Sequence, residues 1–504
     1  MKESNKRYSY TMLVMVMIAG VGVGIGMGMM MQMGAISNLS ERVGSGSVWD
    51  TFDFGLLLGS SNETANETED GEGSVPNPTP TEPADPNLGT ISNAKVGTKG
   101  DGITVTPAGA APVSGIPAPT PGKLEGVSRI LRTPRPEEEE WGTWKTRDCS
   151  ALAQDWVYTA PHTLRGYHVV CFNPISGSDK ALKMTAYVDG SPTGVVKGVI
   201  PATTLGTFRA EVQAALKIRA AFPMSQPWRM FNNQGRVIED LDGLEQLVLV
   251  YEGGQWIWPA IEVGHKWVIE NLLDDAPDLV VETVAVIPHV FSVTNFITLD
   301  ECDYIIELSK PHLFQSGVAH FDDDIGKDSA IWRTSSQAWL ASTTPPLKFL
   351  DHRIAELVRV PESHGEATQI LEYKEGQRYV AHVDAFDTSR MKQSPELVRA
   401  YQGGAKNRLA TVFEYHTTVR NGGWTVFPRA GGLPQPHDFE DCSKGLRVAP
   451  VKGSVVVFYS LDATGAIDEY SLHGGCAPLR GEDGGVADVK RSANKWVWNQ
   501  PMTF

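Results

Sequence analysis

The sequence predicts a small α+β domain followed by a strand-rich C-terminal domain with flanking helices, both set behind one N-terminal transmembrane helix and a stalk. Three observations lead there. Residues 12–31 form an unbroken uncharged apolar run. The next hundred or so residues are dominated by Gly, Ser, Thr, Asn, Glu and Pro. From Trp141 onward aromatics and short apolar runs return. Of 504 residues, 41% are hydrophobic and 9% aromatic, which excludes whole-chain disorder and a collagen-like composition. The 60 acidic residues against 44 basic ones leave a net charge of −16, so a general nucleic-acid binder is excluded. Such binding draws on Lys and Arg neutralising phosphates.

The N-terminal run is long enough to cross a bilayer as a helix. Lys2, Lys6 and Arg7 precede it, against Glu3 alone. Positive charge on that side keeps residues 1–10 cytoplasmic and makes residues 11–35 a signal anchor, with the rest lumenal. The alternative, a cleaved signal peptide, expects a shorter apolar core. Gly20, Gly24 and Gly28 have small-xxx-small spacing, which suits close helix packing and a homo-oligomer. The sequons at Asn38, Asn62 and Asn66 are glycosylation candidates on the lumenal side. Residues 36–136 read as a disordered stalk, with ten prolines between Pro76 and Pro121. Such a stretch buries too little apolar area to offset its ordering entropy.

Residues 137–285 read as the small α+β domain. Phe208, Val212 and Leu216 repeat at four-residue spacing, which predicts an amphipathic helix. Residues 246–252, QLVLVYE, predict a buried strand. A ubiquitin-like β-grasp module and an unclassified spacer are the two readings. Five cysteines allow two bridges and one spare thiol, and Cys149 with Cys171 is a local candidate in an oxidising lumen.

Residues 286–504 carry the chemistry. A helix is expected around Leu299–Lys310, followed by strands and turns. His382 and Asp384 lie two apart in a strand-like run, and i and i+2 share a strand face. His473 follows a second apolar strand and sits beside a Gly-Gly turn. Two imidazoles and one carboxylate on one face of Fe(II) leave positions open for a cosubstrate and O₂. A second pair, His320 and Asp322, lies in AHFDDD and reads as an exposed acidic turn.

The surroundings of the first pair add a resemblance. WRTSSQAWL, YKEGQRYVAHVD, NRLATVFEY with GGWTVFP, KGSVVVFYSL with SLHGGC, and KRSANKWV occur in that order. Together they resemble the catalytic domain of prolyl 4-hydroxylases of plant and algal type, which are Fe(II)- and 2-oxoglutarate-dependent dioxygenases. The resemblance implies a double-stranded β-helix, or jelly roll. It implies oxidation of a peptidyl proline to 4-hydroxyproline with 2-oxoglutarate and O₂, with L-ascorbate keeping the iron reduced. By position, His382, Asp384 and His473 match the iron ligands. Lys490 matches the lysine facing the distal carboxylate of 2-oxoglutarate, with Tyr373 and Thr411 in the same pocket and Lys495 as the fallback. Tyr379, Arg333, Ser335, Arg408 and Trp496 match positions near the peptide groove. Cys442 and Cys476 match a bridge found in members of the secretory type, leaving Cys302 as the spare thiol.

The sequence departs from the family pattern in a longer segment before Lys490, in an insertion between Asp384 and Arg408, in Trp424 where a glutamate is usual, and in His416 where an apolar residue is usual. The reading that follows is a single-pass type II membrane hydroxylase of the endoplasmic reticulum or Golgi, acting on proline-rich secreted polypeptides. Two others compete with it: a dioxygenase with another target, such as lysine, and an inactive membrane-tethered scaffold. The intact triad and Lys490 disfavour the last.

Overall fold

The structure, a computed structural model, describes residues 97–98, 102–105, 149–219, 226–269, 278–481 and 484–502. The predicted anchor, the sequons and most of the predicted stalk lie outside these residues. Within the stalk, Gly97–Thr98 and Gly102–Val105 are strands, and the second pairs with Gly445–Val448, which corrects the reading of 36–136 as disordered throughout. Among the described residues, no helix is long and apolar enough to cross a membrane.

The first sheet runs in the order Val195–Pro201, Ser178–Tyr187, Tyr167–Ile175, Leu247–Tyr251 and Arg229–Phe231. Every pairing is antiparallel. Its two central strands, Tyr167–Ile175 and Leu247–Tyr251, therefore run opposite ways. This rules out a ubiquitin-like β-grasp, whose first and last strands lie side by side and parallel. Helix Leu205–Leu216 starts at Thr204, whose side chain accepts the Thr207 amide, and ends at Lys217 in the left-handed region. Its buried face is Phe208, Val212 and Leu216, packed with Val170, Phe172, Met184, Val248 and Val250. Each of these side chains contributes about 1.5–3 kcal/mol by leaving water.

The opposite face of this sheet is apolar too. Tyr167, Val169, Cys171, Leu249 and Tyr251 join one continuous core with Phe291, Ile354, Leu357, Val412, Val457 and Val497 of the C-terminal part. Trp256, Ile257, Trp258, Ala260 and Ile261 fill the junction. Trp258 donates from Nε1 to the Leu357 carbonyl at 2.7 Å, and Tyr158 Oη meets His289 Nε2 at 2.6 Å. Strand Lys266–Ile269 pairs with Leu279–Ala285, which pairs in turn with Val290–Val293, so both belong to the C-terminal sheet. The boundary expected at residue 285 therefore falls before Lys266.

The C-terminal part is built on two sheets. The larger has nine strands: Phe314–Gln315, Ser336–Leu340, Thr368–Tyr373, Lys490–Trp498, Arg408–Tyr415, Val455–Tyr459, Val290–Val293, Leu279–Ala285 and Lys266–Ile269. The smaller runs Gly97–Thr98, Gly102–Val105, Gly445–Val448, Thr425–Phe427, His473–Gly475 and Tyr379–His382. Leu371, Tyr373, Phe413, Tyr415 and Phe458 from the first meet Phe427, Leu446 and Val448 from the second in a core between them. The chain alternates between the sheets, which makes the double-stranded β-helix. Helices Leu299–Ser309 and Pro345–Val358 cover the outer face of the larger sheet. The first opens on a capping box between Thr298 and Glu301. Glu301 also accepts from buried Arg353 at 2.7 Å, which ties the two helices together. Cys149–Cys171 and Cys442–Cys476 are bridged, and Cys302 is a free buried thiol.

Candidate active site

Strands Tyr379–His382 and His473–Gly475 are antiparallel neighbours, and their register sets His382 directly opposite His473. A Cβ at Gly474 would lie 3.1 Å from the Ala381 nitrogen and the Tyr379 oxygen, so glycine is what lets the strands close. Asp384 lies beyond the strand end at His382, in the bend that follows. A strand face is therefore not what aims it. Thr411, on the facing sheet, donates to its Oδ2 at 2.6 Å and holds it at the pair of rings.

Each histidine has its Nδ1 2.9 Å from a backbone carbonyl two residues earlier, Val380 for His382 and Ser471 for His473. A proton on Nδ1 satisfies that contact and leaves the Nε2 lone pair free. Those Nε2 atoms lie 3.6 and 3.5 Å from the Asp384 carboxylate. The three residues are the one group of possible metal ligands among the described residues, with ligand atoms within 4.8 Å of one another. His320 and Asp322 form no such group; His320 meets Ser329 instead. Burial alone would raise the Asp384 carboxyl, but His473, His382 and Arg408 outweigh it and hold the group well below the ordinary carboxylate range. Burial pushes the His473 imidazole down to about 4, so it is neutral and able to ligate at pH 7. This donor set suits Fe(II).

The cavity beside the triad is lined by Leu371, Tyr373, Tyr379, His382, Phe413, Thr425, His473, Gly474, Gly475 and Asn494. Behind it lies Lys490, fully buried, with Nζ 5.4 Å from the Tyr373 ring centre, 5.1 Å from Phe413 and 5.7 Å from Tyr415. Its Nζ has no hydrogen-bond partner among the described residues. Burial pushes it down to about 7. A buried ammonium with nothing to bond is costly unless an anion completes it. Lys495 is spoken for: it pairs with Asp351 at 2.7 Å. Thr411 faces Asp384 and is absent from the cavity lining. Ser492 went unnoticed in the sequence. It lies two residues from Lys490 on the same strand, is buried, and its hydroxyl has no partner among the described residues.

The residues matched to the peptide groove sit in two layers. Tyr379 stacks on His382, ring centres 3.7 Å apart. Arg333 and Ser335 are buried behind it. Arg408 makes a two-pronged pair with Glu366 at 2.6 and 3.0 Å and lies 3.6 Å over the Trp496 ring. Trp498 donates to the same Glu366 carboxylate at 2.6 Å. Glu366 had no sequence signal, because its partners are 42 and 132 residues away. Two departures from the family pattern lie away from the cavity. Thr425 faces the site, where Tyr415 donates to it, so neighbouring Trp424 is turned outward and packs on Arg447. His416 is buried against Glu414 at 2.8 Å and does not line the cavity.

A two-sheet jelly roll with a His-Asp-His site and a buried cation behind it is the arrangement of a 2-oxoglutarate oxygenase. Residues 368–498 match the family model described as the 2OG-Fe(II) oxygenase superfamily. The chain is 36% identical over 217 residues to probable prolyl 4-hydroxylase 3 of Arabidopsis thaliana, covering 42% of this chain and 69% of that protein. It is 36% identical over 225 residues to probable prolyl 4-hydroxylase 10 of the same plant, covering 43% and 71%. A solved structure, viral collagen prolyl hydroxylase vCPH from Paramecium Bursaria Chlorella virus-1 with 2OG, is 21% identical. That match covers 42% of this chain and 95% of the viral one, with a TM-score of 0.28. The chain belongs to the prolyl 4-hydroxylase family of Fe(II)- and 2-oxoglutarate-dependent dioxygenases.

Proposed function

We propose that this protein 4-hydroxylates proline residues of proline-rich secreted polypeptides, as a single-pass type II enzyme of the endoplasmic reticulum or Golgi membrane. The observation that carries the reaction is the unpartnered Lys490 ammonium behind a cavity lined by His382 and His473, which group with Asp384. Those three residues would hold Fe(II), which supplies the oxidising chemistry together with 2-oxoglutarate and O₂. One oxygen atom of O₂ goes to C4 of proline and the other to succinate, with CO₂ released.

This chain's own part is binding and orientation. Lys490 would pair with the distal carboxylate of 2-oxoglutarate, and Tyr373 and Phe413 wall that end of the pocket. Thr411 fixes the Asp384 carboxylate, and the Val380 and Ser471 carbonyls fix the tautomers of the two histidines. Tyr379 lines the cavity beside His382, and Arg408 and Trp496 would lie toward the peptide. Ascorbate is proposed as the reductant for turnovers that oxidise iron without product.

The membrane position is supported by the apolar run at residues 12–31, its basic flank, and the sequons Asn38, Asn62 and Asn66. The bridges Cys149–Cys171 and Cys442–Cys476 agree with an oxidising lumen. The test is incubation of the protein with proline-rich peptides, Fe(II), 2-oxoglutarate and ascorbate, with tandem mass spectrometry of the peptide. Oxygen located on proline supports the reading. Succinate release with oxygen on lysine, or on no residue, would redirect it to another target.

A further inference from the structure

The two candidate histidine ligands are supported unequally. His473 is 7% exposed and packs between Phe458 and Phe427, with ring centres 4.3 and 5.9 Å away. His382 is 23% exposed. Beyond its Nδ1 contact with Val380, its ring is held by His473 on one side and by Tyr379 stacked at 3.7 Å and 24° on the other. The Tyr379 ring in turn carries the Arg333 guanidinium 4.5 Å from its centre.

Arg333 is 3% exposed and has no carboxylate partner among the described residues. Neutral groups hold it instead. Its Nε donates to Ser335 Oγ at 3.0 Å, and Ser335 is fixed by Ser316, whose Oγ lies 2.9 Å away and whose amide donates to the Ser335 carbonyl. Its Nη2 lies 3.5 Å from Gln369 Oε1, a long contact to an amide that is itself fixed by Gln337 at 2.7 Å and Asn494 at 2.9 Å. Leaving a guanidinium buried on hydroxyl and amide oxygens alone is expensive. Here it forms a column with an aromatic ring and an imidazole, and the column ends on the less protected ligand.

We infer that Arg333 is a positioning residue of the metal site, acting on His382 through the Tyr379 ring rather than by contact with peptide. The inference rests on the reading of His382 as an iron ligand. A cation over a ring face is attracted by the ring quadrupole. That attraction presses the ring against the imidazole and limits rotation of His382 about its own bond. Outer partners of this kind change metal affinity by about 10–100-fold when removed.

The test uses the full chain and Co(II) as the probe, with no 2-oxoglutarate or peptide present. Co(II) affinity and its visible absorption bands are measured for wild type, Arg333→Met, Arg333→Lys, Tyr379→Leu and the Arg333→Met/Tyr379→Leu pair. Arg333→Met is expected to weaken Co(II) about tenfold and alter the bands. Arg333→Lys keeps the cation and is expected to recover part of the loss. The double variant is expected to be no weaker than Tyr379→Leu alone, because both changes break one column. If Arg333→Met fails to fold, Gln369→Leu takes its place. That variant leaves Arg333 intact but unsupported on one side, and it is expected to shift the Co(II) bands in the same direction. Wild-type Co(II) binding in Arg333→Met with a raised peptide KM would make Arg333 a peptide contact and overturn the inference. So would full additivity in the double variant, or wild-type bands in Gln369→Leu where that variant stands in. A wild-type chain that takes up no Co(II) would instead sink the iron-site reading itself.

Discussion

Lys490 is the most informative single residue. Its ammonium is buried among Tyr373, Phe413 and Tyr415 and pushed down to about 7 by that burial. The charged form is the one that attracts a dicarboxylate. Below pH 7 the empty pocket is already protonated. Above it, 2-oxoglutarate must bring a proton with it, and apparent affinity falls by up to tenfold per pH unit. The KM for 2-oxoglutarate is therefore expected to rise between pH 7 and 9, while in Lys490→Met it is high and flat. A wild-type KM that is level across that range would argue against Lys490 as the anion partner. At this scale the sequence was legible where a motif kept its spacing, as with His382, Asp384 and His473. It was not legible where a role depends on who stands opposite. Thr411 matched a cosubstrate position, but the fold turns its hydroxyl to Asp384. Lys495 fits the same role by sequence position alone, and its ion pair with Asp351 removes it from that role.

At the scale of elements, two features tie the site to the scaffold. Arg353 joins the two covering helices through Glu301 and donates to the Phe296 carbonyl at 2.9 Å. Arg353→Ala leaves Glu301 buried without its partner and is expected to cost about 3–5 kcal/mol in denaturant unfolding. A loss under 1 kcal/mol would mean the pair is solvated in solution. The Cys442–Cys476 bridge lies three residues past His473 and holds the segment whose Phe439 carbonyl accepts the Ala381 amide. Replacing both cysteines by serine is expected to cost about 2–4 kcal/mol and to lower Co(II) affinity, measured by titration. Helix Leu205–Leu216 is legible from the four-residue spacing of its buried face, and the strands at residues 247–251 and 455–459 from continuous apolar runs, since every position of each is buried. A boundary at residue 285 leaves Lys266–Ile269 and Leu279–Ala285 with the small domain, whereas the structure pairs them into the larger C-terminal sheet. Period-2 patterns mark a strand but not the sheet it joins.

On the scale of the molecule, the middle sheet is apolar on both faces, one covered by its own helix and the other by the catalytic part. It is thus a structural half of the enzyme, which composition alone could not reveal. A fragment starting at Ile287 would lose two strands of the larger sheet and expose Phe291 and the Trp258 contact with Leu357. It is expected to aggregate or melt far below a fragment starting before Cys149. Equal melting temperatures would contradict the shared core. Acid acts at the same junction. Burial lowers His289 from 6.5 to about 4, so the folded form resists a proton that the unfolded chain accepts. Stability from this group is full above about pH 6.5 and is lost as pH falls toward 4, by a few kcal/mol at most.

The His382, Asp384 and His473 cluster is expected to drive oxygenation of a peptidyl proline. The most direct measurement is tandem mass spectrometry of a proline-rich peptide after turnover under ¹⁸O₂, with wild type and His382→Ala side by side. One ¹⁸O atom on proline and ¹⁸O in succinate are expected with wild type, and neither with the variant. Proline that stays unmodified while the folded wild type releases labelled succinate would contradict it.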